Sequence, residues 1–155
     1  GFDYLPYIFN KMIGVLEFPL GLTRTFNNKI IILPRKYYST AEAKYLSIND
    51  IFKEKIEFEG NSKLLKNKNI VIKKFNSNEI RDFMLEVEKY SNEENSEKDA
   101  YSSQAQSEFE MKFKKLFNKE RYLAEKQKPL KRIHGNEIKS IISKSFLKTN
   151  NNWLN

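Results

Sequence analysis

Cysteine is missing from the 155-residue chain, and histidine occurs once, at His134. Disulfides and thiolate metal sites are thereby excluded, and a histidine-based metal site lacks the ligands it needs. Arginine is scarce too, with five among the 28 basic residues. The net charge of +8 would suit a polyanion. It is carried mostly by scattered lysines in a chain heavy in Asn and Ile, a bias that A/T-rich coding produces without selection for binding. Its expected effect is on solubility and weak anion attraction. No apolar run reaches membrane-spanning length and no signal-peptide pattern is present, so the cytoplasm is the expected location. The sequence carries no GxSxG, Walker A or HExxH motif and no cysteine nucleophile. Paired carboxylates such as Glu57 with Glu59, or Glu93 with Glu94, fall in polar stretches and read as solvated charge.

What is present suits one globular core, with 39% hydrophobic and 31% charged residues. The opening GFDYLPYIFNKMIGVLEFPL reads as a turn, a helix over residues 2–9 and a strand over 12–16. Asp3 caps exposed N–H groups, Pro6 fits a first helical turn, and Leu5, Ile8 and Phe9 make one apolar side. The uncharged run from Met12 to Leu16 predicts a strand covered on both faces. Helix N-termini and strand ends of such α/β elements are where phosphates bind. The chain also enters this helix without a leading tail, which points to a fragment of a longer protein.

Glu17 to Leu22 is a turn by its Pro and Gly, and residues 23–28 are polar loop. Lys29 to Pro34 is a second strand. Arg35 to Thr40, basic and aromatic together, reads as an exposed loop wrapped over a sheet edge; holding an anionic sugar or nucleotide is the rival reading. Ser47 and Asp50 have capping-box spacing before a helix over 48–55. Residues 57–69 read as a surface excursion, and 69–72 as a third strand. Asn76 and Glu79 form a second capping box, followed by Ile80, Phe83, Met84 and Val87 at helical spacing over 77–90. Residues 91–103 are an acidic, serine-rich linker. A helix over 103–122 carries Ala105, Phe109, Phe113, Leu116 and Phe117 on one side, a packing stripe. Ile138, Ile141, Ile142, Phe146 and Leu147 give the apolar face of a C-terminal helix, and Trp153 and Leu154 dock onto the body.

The order of these pieces resembles the C-terminal half of a bacterial GT-B-type glycosyltransferase, in the surface-polysaccharide group distantly similar to lipopolysaccharide heptosyltransferases. The likeness is carried by Gly1, Pro6, Phe9, Lys11, the strand over 12–16 and Pro19, then Leu33-Pro34-Arg35-Lys36 and Tyr45-Leu46-Ser47. It continues through Asn76-Ser77-Asn78-Glu79-Ile80 with Glu86-Val87, Gln106-Ser107-Glu108-Phe109, and Phe146-Leu147-Lys148-Thr149-Asn150 with Trp153-Leu154. Two positions depart from the group: Met12 replaces a Pro, and the Ser residues expected before Gly1 are not in the chain.

The resemblance implies an α/β fold, a partial Rossmann-like parallel sheet of few strands with flanking helices and a helical C-terminal region. It implies a donor-binding domain over 1–90, the linker over 91–103 and a helical segment over 104–155. The implied activity is transfer from a nucleotide-sugar donor to a glycan or lipid-linked acceptor, the acceptor being held by an N-terminal half outside this chain. No metal or other cofactor is expected. Gly1, Phe2 and Asp3 are the expected donor-facing residues, with Glu17 and Arg24 in the loop after the first strand for ribose and phosphate. A plain loop carboxylate is the competing reading of Glu17. Peripheral contact with the inner face of the plasma membrane fits such a role, and specific nucleic-acid binding is not expected. The rival function is a non-enzymatic basic module that binds nucleic acid or an anionic membrane through Lys126, Lys128, Lys131 and Arg132, beside His134 and Gly135.

Overall fold

Runs of β-branched residues and two capping boxes fix most of the elements. The structure, a computed structural model, describes residues 9, 11–20, 29–57, 62–92, 103–117 and 140–155. In chain order these are β1 (Ile13–Phe18), β2 (Ile30–Pro34), β3 (Lys36–Ser39), β4 (Lys44–Tyr45), α1 (Ile48–Lys53), α2 (Ser62–Asn67), β5 (Ile70–Lys73), α3 (Ser77–Asn92), α4 (Gln104–Leu116), β6 (Ile141–Ile142) and α5 (Lys144–Thr149). The strands form two small sheets, a parallel one in the order β1-β2-β6 and an antiparallel one in the order β4-β3-β5. The fold is therefore mixed α/β with a three-stranded parallel sheet.

Strand β2 is the centre of the parallel sheet, and its Ile31, Ile32 and Leu33 are wholly buried. Strand β1 is longer than the expected 12–16, and it is not covered on both faces. It lies at the edge of the described sheet, half-buried, with Leu16 exposed. Gly14 pairs with Ile31. A Cβ at Gly14 would lie 2.8 Å from Val87 Cγ2 and 3.0 Å from Phe83 Cε1, so the bare glycine lets α3 sit down on β1. The apolar stripe expected on α3 is thereby split. Phe83 and Tyr90 enter the core, whereas Ile80 and Met84 lie on the outer flank and remain exposed.

Three segments depart from the sequence reading. Residues 36–39 are not an exposed loop; they are the central strand of the second sheet, with Tyr37 in the core. The third strand, β5, joins that antiparallel sheet and not the parallel one. Ile141 and Ile142 are strand, not helix, and they supply the third parallel strand beside Ile31 and Ile32. Within 57–69 the expected excursion holds helix α2, and Leu65 and Glu57 are buried.

Other expectations hold. Ser47 and Asp50 make a complete capping box on α1, and Asn76 and Glu79 do the same ahead of α3. The α4 stripe packs through Phe109 and Phe113, the latter edge-on to Phe52 at 5.6 Å. Trp153 is buried against Phe109 and Phe146, and its carbonyl accepts the Ile48 N–H at 2.8 Å, tying the C-terminus to the start of α1. Phe9, by contrast, stands exposed at a turn rather than on a buried side.

Candidate functional site

In an α/β sheet the ends of parallel strands are the natural ligand positions, because loops and helix starts gather there. The C-terminal ends of β1, β2 and β6 define that edge. On β1, Val15 pairs with Ile32 and Phe18 with Pro34, so Leu16 and Glu17 together oppose Leu33. This is a β-bulge, uncommon in a parallel pair. The extra residue is accommodated by Glu17, which takes the left-handed conformation at φ 52°. A non-glycine residue there costs on the order of 1 kcal/mol, and such outliers concentrate at functional sites. Beyond the bulge, the Phe18 carbonyl accepts the Arg35 N–H at 3.2 Å, which re-closes the pair.

Glu17 thus belongs to the strand and not to the loop after it, a correction to the sequence reading. Its half-buried carboxylate has no hydrogen-bond partner among the described residues. Gly1, Phe2, Asp3 and Arg24 lie outside the described residues, as do the basic cluster from Lys126 to Arg132 and His134. The structure accordingly places one of the five expected donor-site residues.

At the end of β6 the chain turns directly into α5, and this strand-to-helix corner is the kind of place that takes a phosphate. Here a side chain of the protein fills it. Glu86, from α3, accepts the Lys144 N–H at 2.8 Å through Oε1, and the Ser145 N–H at 3.1 Å and the Ser143 hydroxyl at 2.8 Å through Oε2. Ser143 itself caps α5 by accepting the Phe146 N–H. The sequence marks Glu86 only as an acidic residue inside a helix. Its partners lie 57 to 59 residues away, beyond any local signal.

Between β2 and these helices, Lys36 donates to both carboxylate oxygens of Glu79 at 2.7 and 2.8 Å, with 8% and 17% of the two side chains exposed. Glu79 also accepts the Asn76 N–H, so one carboxylate closes the capping box and anchors the second sheet to α3. Leu33, Phe75, Glu79, Asp82, Ser145, Phe146 and Thr149 surround a cleft of about 10 Å³, the lower limit for a single water. That cleft is too small for a sugar or nucleotide.

The far side of β6 is closed by Gln106, which is 1% exposed. Its Oε1 accepts the Ile142 N–H at 2.9 Å and its Nε2 donates to the Ser140 carbonyl at 3.0 Å and to Glu110 at 2.8 Å. The amide group acts as one residue of a fourth strand and leaves β6 no open edge at that point. Among the described residues there is no group of three or more metal-ligating side chains, and no helix is long and apolar enough to cross a membrane. No protein-family model, curated protein or solved structure matches the chain.

Proposed function

We propose that this chain is the nucleotide-sugar-binding C-terminal part of a GT-B-type glycosyltransferase of surface polysaccharide or lipopolysaccharide synthesis, working on the cytoplasmic side. The observation that supports the reading is the parallel sheet whose edge strand ends in a bulge, with Glu17 held in a left-handed conformation and its carboxylate free of partners among the described residues. A carboxylate at the end of a parallel strand can accept from ribose hydroxyls. In this reading Gly1, Phe2 and Asp3 offer backbone N–H groups to the pyrophosphate and Arg24 offers a guanidinium. Charge building on the diphosphate leaving group is then met by amides and cations. Among the described strands the β1-β2-β6 order runs in one direction, with no topological switch point. The donor crevice of the proposal therefore lies on the outer flank of β1, where Glu17 is.

Thermal unfolding with UDP- and GDP-sugars tests the proposal. Free ligand at about a hundred times Kd stabilises by about 2.7 kcal/mol, so a saturable rise in Tm is expected, unchanged by EDTA and weakened in Glu17→Ala. Absence of saturable stabilisation by any nucleoside-diphosphate sugar at millimolar concentration overturns it.

A further inference from the structure

The outward face of the antiparallel sheet carries a second feature. Strand periodicity puts Tyr37 into the core and Lys36 and Tyr38 on the opposite side. Cross-strand pairing adds Tyr45 and Val71 opposite Tyr38, and Lys73 opposite Lys36. Tyr38 and Tyr45 meet edge to face with centroids 5.2 Å apart, and Tyr45 is 52% exposed. The Lys73 ammonium lies 5.0 Å over the Tyr38 ring.

The charges of this sheet and its margins are unequally engaged. Lys36 is bound by Glu79. Lys44 is paired with Glu42 at 2.8 Å and lies 3.8 Å from Asp50; its pKa is raised, first by the hydrogen bond to Glu42 and then by the charge of Asp50. Lys73 and Lys74 are exposed and have no carboxylate partner among the described residues. A half-open aromatic pair, with the Lys36 ammonium 5.9 Å over one side of the Tyr45 ring, beside lysines that lack a carboxylate partner among the described residues, is complementary to a ring that carries phosphate.

We propose that this sheet face binds single-stranded nucleic acid, one base stacking on Tyr45 and the adjoining phosphates meeting Lys73 and Lys74. A strand suits the surface better than a free nucleotide. Lys36 is buried at one end of this face and Tyr45 is its well-exposed ring, so affinity has to come from several phosphates. A duplex keeps its bases stacked on one another and cannot use the ring. This reading is independent of the transferase proposal, whose nucleotide lies at the end of β1.

The test is fluorescence anisotropy of a labelled oligonucleotide of about 15 nucleotides with the full chain, across a salt series. Binding is expected to weaken with salt, to fall about tenfold in Tyr45→Ala, where stacking is lost, and to persist in Tyr45→Phe. Replacing both Lys73 and Lys74 with Gln should reduce the magnitude of the salt slope by about 1.4. Tyr45 is largely outside the core, so circular dichroism should show each variant folded. No binding at low salt overturns the proposal. So does binding that ignores Tyr45 and Lys73/Lys74 but is lost when Lys126, Lys128, Lys131 and Arg132 are replaced, or that a flexible sulfated polysaccharide displaces as well from Tyr45→Ala as from the wild type.

Discussion

Replacing Glu86 with Ala removes the acceptor for two backbone N–H groups and one hydroxyl at the start of α5. The three losses are unequal. Lys144 is exposed and its N–H can turn to water, while the Ser143 hydroxyl still has Ser145 Oγ within 2.8 Å. Only the half-buried Ser145 N–H is poorly compensated. One charge-assisted hydrogen bond is worth about 1.5–3 kcal/mol, and the loss of a helix cap costs about 1 kcal/mol. These overlap in the same few groups, so Glu86→Ala should cost about 2 kcal/mol. Glu86→Gln keeps one good acceptor but loses the negative charge at the helix start, and should cost about 1 kcal/mol. Urea unfolding measures both. With a slope of about 2 kcal/mol per molar, Ala should lower the midpoint by about 1 M and Gln by about half that. Glu88, exposed on the same helix, is the control: Glu88→Ala should stay within about 0.5 kcal/mol of wild type. If the Ala and Gln variants at Glu86 fall within that same margin, the carboxylate does not hold α5 and the reasoning fails.

Gly14→Ala should destabilise by about 1–2 kcal/mol through its clash with Val87 and Phe83, and most of the loss should disappear in a Val87→Ala background, as a double-mutant cycle would show. Gln106→Leu keeps the volume but withdraws the acceptor from the Ile142 N–H; a cost of about 2 kcal/mol in thermal or urea unfolding is expected. Lys36→Met leaves the Glu79 carboxylate without its cation and should cost about 3 kcal/mol, while Lys36→Met with Glu79→Gln should recover most of it, since Gln still closes the capping box.

Local signals carried much of the fold. The two capping boxes need only residues three apart, and both were legible as spacing. Strand β2 announces itself through Ile30, Ile31 and Ile32 beside a proline. What escaped the sequence is held by distant partners. Lys36 could be read only as exposed until Glu79, 43 residues later, neutralised it. Ile141 and Ile142 lie in an apolar series that also fits a helix, and they become strand because β2 on one side and Gln106 on the other complete their hydrogen bonds. Glu17 was legible as an acid near the end of β1, but its bulge was not, since an extra residue in a ladder shows only when both strands are aligned. The stripe on α3 was over-read because Gly14 draws the helix toward one side of the sheet and leaves Ile80 and Met84 outside.

The pairing of Ile31 with Ile141 also bears on how the protein is made. The partner for the other margin of β2 is synthesised late relative to it, since Ile141 follows Ile31 by 110 residues. Until then β2, whose Ile31, Ile32 and Leu33 are buried in the finished fold, keeps one row of amides and carbonyls unpaired, an invitation to a neighbouring nascent chain. Pairing between such remote segments also slows folding. Polypeptides stalled or cut before Ile141 should therefore aggregate or recruit chaperones, even though every helix up to α4 has already been synthesised.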